Sequence, residues 1–298
     1  MPAASISVVI PNLHSPIIDQ VVASIERQTI RHQIAEIIVV GLDAPGRVPA
    51  HVTWLDTGVP IHPGAARNRG IAHASTPLVA LVDADCLLAP DCLERMLAAM
   101  TAPRAVVGAA LLPEHGAYWL LADNLTTFDG VLACDQSRAV PALPSFVMLL
   151  DRAAWHCVGG FDPHRPIGGE DYELCFRLRR AGHVIWFEAS ARVHHRPART
   201  SAATVWQHLQ RYGRHTPAVL RQYPDMAQTR TGPWLRPWAP LVLAAAPLLA
   251  AADVLQRFWR VPGLRRWWYA APGVIWARCA WYWGVAEAFM AAAPSGDG

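Results

Sequence analysis

"PLVALVDAD", residues 77–85, is an apolar run, Leu78 to Val82, that ends in two aspartates separated by one alanine. A short continuous apolar run of this kind predicts a strand buried on both faces, as in parallel sheets covered by helices. Along a strand, alternation sends Asp83 and Asp85 to one side and Ala84 to the other. Two like charges at the end of a buried strand are costly to desolvate unless something positive lies between them. Mg²⁺ and Mn²⁺ take few carboxylates and leave positions for water and substrate oxygens. Taken alone the pair reads either as a helix cap or solvated turn or as a site for a divalent cation that also holds a phosphate, and context decides between them.

The flanking sequence extends the same architecture. "SISVVI", residues 5–10, is a β-branched run closed by Pro11 and Asn12. Ile17, Ile18, Val21, Val22 and Ile25 then recur at helical spacing. "AEIIVVGLD" is a second apolar strand with Asp43 at its end, and a weaker strand lies near "HVTWLD". "HPGAARNRGIAHAS" enters a short helix through Pro-Gly, "APDCLERMLAAM" is a helix with Asp91 in its first turn, and "RAVVGAALL" is again a strand. This alternation predicts an α/β fold with a mostly parallel sheet flanked by helices. Ligands of such sheets bind beyond the carboxyl ends of the strands. One crevice then collects the loop after "VVIP", Asp43 and the two acids of "DAD".

Further on, "PALPSFVMLLDRAAWHCVGGFDP" reads as a strand, a short helix and a Gly-Gly turn. "GGEDYELCFRLRRAGH" gives a glycine-rich loop and a helix opening on Glu170 and Asp171. Acids there favour the helix dipole and cap free N–H groups, and a carboxylate in that place also serves to accept a proton from an incoming hydroxyl. In "ARVHHRP", alternation puts Ala191, Val193 and His195 on one face and His194 on the other.

The 298 residues carry 26 cations, all arginine, against 23 acids, a net charge of +3. With no basic run before residue 170, nucleic acid is not an expected partner. Six cysteines without a CxxC pair predict free thiols and not a zinc cluster. The N-terminus lacks the charged and apolar regions of a signal peptide. From Trp234 onward lie eight of the 13 tryptophans. Residues 238–252 form an apolar run of about fifteen positions, short against the ~20 of a spanning helix. Tryptophan-rich helices lying in the cytoplasmic membrane interface, with arginines on anionic headgroups, are the expectation, with C-terminal membrane insertion or a helical packing appendage on a soluble enzyme as alternatives. The small-residue tail "AAAPSGDG" is expected to fray.

As an ordered set, "SVVIPNLHS…VVASIERQT…EIIVVGLD", "PGAARNRGIAHASTPLVALVDAD", "VGGFDP…GGEDYELCFRLRRAGH" and "ARVHHRP" resemble the family 2 glycosyltransferases, inverting enzymes of the GT-A fold, over about residues 5–215. The resemblance implies a nucleotide-diphosphate sugar donor and a divalent metal, Mg or Mn. It implies that Pro11, Asn12, Asp43, Arg67, Asn68, Asp83 and Ala84 meet the donor. Asp85 and Asp83, with His195 or His194, would hold the metal. Asp171, beside Glu170, would be the catalytic base. It further implies a glycosyltransferase domain over 1–215, with a nucleotide-binding half to about residue 100 and an acceptor half after it. A helical, membrane-associating region would follow over 216–298. No QxxRW motif of the processive synthases is evident, which implies a single addition to a lipid-linked or cell-envelope saccharide acceptor. A non-catalytic binding subunit of the same fold is the alternative. No GxGxxG follows the first strand, against a dehydrogenase.

Overall fold

The computed structural model describes residues 5–164, 168–223 and 238–291. The expected frayed tail and the sequence around Trp234 lie outside them. By contacts the chain divides into two units, one of residues 1–112 and 131–197, the other of 113–130 and 198–298.

The first unit holds β1 (Ile6–Leu13), α1 (Ile18–Glu26), β2 (Ile34–Leu42), β3 (Thr53–Asp56), α2 (Pro63–His73), β4 (Leu78–Val82), β5 (Cys86–Leu88), α3 (Cys92–Ala99) and β6 (Arg104–Leu111). The second unit contributes α4 (Tyr118–Thr127). The first resumes with β7 (Arg138–Ala139), β8 (Val147–Asp151), α5 (Arg152–Cys157), α6 (Glu170–Arg180) and β9 (Val184–His195). Its sheet runs β3-β2-β1-β4-β8-β6-β9-β5, with β7 also on β9. β1, β2, β3, β4, β6 and β9 run in one direction, and β8 is inserted antiparallel between β4 and β6. Ile6, Val8, Val9 and Ile10 of β1 and Val79 to Val82 of β4 are fully buried, so the central strands are covered on both faces. This is the mostly parallel, helix-flanked sheet that the apolar runs predict.

The "DAD" segment departs from expectation. β4 stops at Val82, and the amide of Cys86 donates to the carbonyl of Asp83 at 3.0 Å, closing a turn. Strand alternation therefore does not orient Asp83 and Asp85; a turn presents them. The reason is β5, whose three residues pair antiparallel with the end of β9 and pull the chain out of the β4 direction.

The second unit adds α7 (Ala202–Gln222), α8 (Ala239–Arg260) and α9 (Ala271–Ala291), with a 3₁₀ segment over Pro262–Ala270. α8 is longer than its fifteen-residue apolar run suggested: 22 residues, carried through Pro247 and on to Arg260. It is the one described helix long and apolar enough to cross a membrane, with 28% of its apolar window buried. Its buried stripe, Val242, Ala246 and Ala250, packs on Tyr282 and Ala286 of α9. α7 and α9 approach at two glycines: a Cβ on Gly213 would lie 2.1 Å from the carbonyl oxygen of Trp281, and one on Gly284 2.0 Å from that of Gln210.

Candidate active site

Arg67 is the centre of the site. α2 starts at a His62 cap whose Nδ1 accepts from the Gly64 amide at 3.1 Å, with Pro63 in the first turn. Its inward face is Gly64, Ala66, Arg67, Gly70 and Ile71. Gly70 lets the helix press onto β1, since a Cβ there would sit 2.3 Å from a Val9 methyl. That contact buries Arg67, one turn earlier, to 4% exposure. Nη2 donates to Asp83 Oδ1 at 2.8 Å and Nη1 to Glu170 Oε1 at 3.1 Å. The Phe161 ring lies 5.7 Å from the guanidinium. Burial works against the charge on Arg67, yet Asp83 and Glu170 outweigh it and hold the proton more tightly than usual. The cation that the acids require is thus supplied by the chain itself, on the Asp83 side.

The turn that carries the acids is pinned on each side. The Asp83 amide donates to the carbonyl of Phe146 at 2.8 Å, that of Arg196 donates to the carbonyl of Asp85 at 2.8 Å, and the Ser15 hydroxyl donates to the carbonyl of Ala84. Register places His195 opposite Cys86, and His195 Nε2 comes to 3.4 Å from Asp85 Oδ1. His194 pairs opposite Leu87 on the other face of β9. Among the described residues, Asp85, Cys86 and His195 form one group whose donor atoms lie within 4.8 Å of each other; Asp83 and His194 stand outside it. Burial, then Asp85 and Asp83, push the Cys86 thiol well above its ordinary value. A protonated thiol is a poor ligand. The donor set is therefore a carboxylate and an imidazole, which suits Mn²⁺ or Mg²⁺ better than a zinc-thiolate site.

Glu170 and Asp171 enter from α6. Gly168 and Gly169 hold φ of 109° and 93°, a left-handed approach open to glycine. Glu170 spends one oxygen on Arg67 and the other on the Gly168 amide at 3.1 Å. Asp171 accepts from the Ser145 amide at 3.0 Å and from its hydroxyl at 3.4 Å. Burial first, then the adjacent Glu170, push its carboxyl up to about 7, with Arg67 opposing. A carboxylate poised there suits proton abstraction near neutral pH.

The remaining expected residues divide. Asn12 donates to the carbonyl of Leu42 at 2.9 Å and accepts from Ser15, tying β1 to β2 next to Pro11. Asp43 takes the Val48 amide at 2.6 Å through Oδ2, while its buried Oδ1 has no partner. Asn68 is committed elsewhere: both groups of its amide bond the backbone of Phe161, at 2.7 and 2.9 Å. Sequence reasoning set Arg67 at the donor nucleoside and missed its clasp on both acidic motifs. It also missed Ser145 and Cys86. The helical period of α2 carries a signal for Arg67, which falls on a face otherwise small and apolar. Nothing in the pattern marks Ser145.

The family described as Glycosyltransferase like family 2 matches residues 2–213. The pre-mycofactocin glycosyltransferases of two strains of Mycobacterium tuberculosis are 29% identical over 195 residues, 63% of this chain. The chain spans 39% of the length of those relatives. Among solved structures, the mannosyltransferase PcManGT from Pyrobaculum calidifontis, in complex with GDP-Man and Mn²⁺, superposes with a TM-score of 0.58 at 18% identity, over 93% of this chain and 87% of its own. GalNAc-T7 with UDP, GalNAc and Mn²⁺ gives 0.54 at 15% identity, over 76% and 51%. At these identities the likeness concerns the fold.

Proposed function

The chain belongs to the family 2-like glycosyltransferases, and from that premise we propose that it moves one sugar, with inversion, from a nucleotide-diphosphate sugar to a hydroxyl of a lipid-linked or cell-envelope saccharide. The observation that carries this reading is the Arg67 clasp, which joins the Asp83 turn to Glu170 and with it Asp171. The unpartnered Oδ1 of Asp43 is an acceptor for a nucleobase N–H. Asp85 and His195 would hold a divalent cation, Mn²⁺ or Mg²⁺, which when bound neutralises charge on the diphosphate. The structural relatives that carry UDP or GDP-Man also carry Mn²⁺, which supports that pairing.

Asp171 supplies the base. Its carboxylate takes the proton of the acceptor hydroxyl, the hydroxyl oxygen bonds to the anomeric carbon, and the bond from that carbon to the diphosphate oxygen breaks. The nucleoside diphosphate leaves with the bonding electrons, and a single in-line displacement inverts the carbon. Ser145 holds Asp171 in place through two donors. Catalysis is assigned to the region up to about residue 215, and attachment to the inner face of the cytoplasmic membrane to 216–298. Trp238 at the N-cap of α8 and Leu248 and Trp259 on it, all more than half exposed, support a peripheral, interfacial attachment. Release of the protein from membranes at high pH checks that part.

The decisive experiment is D171N. Binding of UDP- and GDP-sugars with Mn²⁺, read by thermal shift, stays at wild-type strength while transfer falls by a factor of 10² or more (order of magnitude for a general base). Wild-type transfer by D171N refutes the assignment. D85A, in contrast, loses metal-dependent donor binding.

A further inference from the structure

The loop after β1 ties together the two ends of the crevice. The side-chain amide of Asn12 donates to the Leu42 carbonyl at the end of β2, and the Ser15 hydroxyl donates to the Ala84 carbonyl in the "DAD" turn. Between these two anchors His14 has a φ of 58°, the one positive φ among the described residues other than glycine. An L-residue in that region is strained, and the conformation persists where its surroundings over-determine it.

Packing does not hold His14, which is exposed. Two hydrogen bonds do. Its amide donates to the same Leu42 carbonyl at 3.0 Å, one residue beyond the last β1–β2 pair, Leu13 with Leu42. Its Nδ1 accepts from the Ala44 amide at 2.9 Å, which puts the proton of the neutral ring on Nε2. Ala44 follows Asp43 in a turn that closes on itself: the Gly46 amide donates to the Asp43 carbonyl at 3.0 Å, and the Val48 amide to Asp43 Oδ2 at 2.6 Å. A second link from this turn, Arg47 to Asp19 of α1 at 3.6 Å, joins two side chains that are each about half exposed. Such pairs are worth little in water. The bond from Ala44 to His14 is the stronger of the two.

We infer that His14 is a positioning residue for the donor: its imidazole latches the Asp43 turn to the loop that reaches the "DAD" turn, and so fixes the spacing between the nucleoside end and the diphosphate end of the crevice. The inference rests on the donor reading above, with the nucleobase at Asp43 and the diphosphate near Asp85, and adds the residue that sets the two ends in register. A ligand that spans both ends feels the latch. One that occupies the diphosphate end alone does not.

The test titrates the full chain by calorimetry with UDP, GDP and dTDP, and separately with pyrophosphate, all in the presence of Mn²⁺. H14G removes the acceptor and leaves the backbone free to keep its shape, since glycine takes a positive φ without strain. H14N keeps an acceptor, Oδ1, as many bonds from the backbone as Nδ1, on a residue that also tolerates this conformation. We expect H14G to bind the nucleotide that wild type prefers about three- to tenfold more weakly, the range for one hydrogen bond. Its pyrophosphate binding should match wild type, and H14N should recover most of the loss. H14A, which also lacks the acceptor, replaces H14G if that variant folds poorly. Equal losses for nucleotide and pyrophosphate, or no recovery in H14N, overturn the latch. So does R47Q if it weakens nucleotide binding as much as H14G, because the loss would then come from a looser turn. A wild type that binds none of the nucleotides refutes the donor reading and the role of His14 with it, whereas wild-type nucleotide binding that persists unchanged in H14G removes the latch alone.

Discussion

R67M replaces the central cation of the first unit by an apolar side chain of similar length. Arg67 and Glu170 side chains are 5% and 8% exposed, so Glu170 would be left buried without its cation. Asp83, at 29%, retains access to water and contributes less. Removal of one member of a buried ion pair costs about 3–5 kcal/mol. With Asp83 discounted and the Gly168 amide still on Glu170, the lower end, ~3 kcal/mol, is the expectation. At ~2–4 °C per kcal/mol for a unit of this size, the melting point falls by ~6–12 °C. Differential scanning calorimetry, backed by the fluorescence of Trp54, Trp155 and Trp186, reads it. E170Q added to R67M relieves the stranded charge and recovers part of the loss. A melting point for R67M within ~1 °C of wild type, or no recovery in the double variant, refutes the clasp.

With Asp171 as the proposed base, kcat/KM should rise about tenfold per pH unit below about 7 and level above it, as the carboxylate forms. Because the unfolded state releases that proton near 4 and the folded state near 7, this group lowers stability as pH rises between those values; D171N should be more stable than wild type at pH 8 by calorimetry. G284A and G213A set helix propensity, which favours alanine by up to ~1 kcal/mol, against a Cβ about 2 Å from a facing carbonyl oxygen. Overpacking should win by ~1–3 kcal/mol, so either variant that melts higher than wild type disproves the close approach. Asp123 is fully buried on α4 and binds His208 at 2.8 Å and Arg199 at 2.9 Å. These partners, against burial, hold its carboxyl below the usual range. Its stabilisation is present above pH ~4 and lost as pH falls through the folded value, so D123N should flatten the acid limb of the stability curve.

The parts legible in the sequence are those written in local periodicity. β1, β2, β4, β6 and β8 follow from apolar runs that nothing but a covered sheet accommodates, and α2 and α6 from their Pro-Gly and Gly-Gly entries. Alternation along β9 placed His195 and His194 on opposite faces, and the structure brings His195 to Asp85. The C-terminal extent of α8 was not legible, because Asp253 and Arg257 break the apolar count but not the helix. α4 was missed as well: Asp123 and Asn124 are buried polar residues in its middle, satisfied by partners such as His208, 85 positions away.

The acids of the site show why motif reading stops where it does. Two aspartates in "DAD" and two carboxylates in "GGED" each require a cation, and sequence offers no way to say that one arginine serves members of both pairs. Arg67 lies 16 residues from Asp83 and 103 from Glu170, and only the packing of Gly70 onto Val9 turns it inward. One consequence separates the two pairs chemically. Asp83 and Glu170 are bound to a fixed internal cation, while Asp85 has His195 at 3.4 Å and Asp171 accepts from the Ser145 amide at 3.0 Å. The clasped pair sets where they stand, so substitutions at Asp83 or Glu170 should disturb stability and activity together.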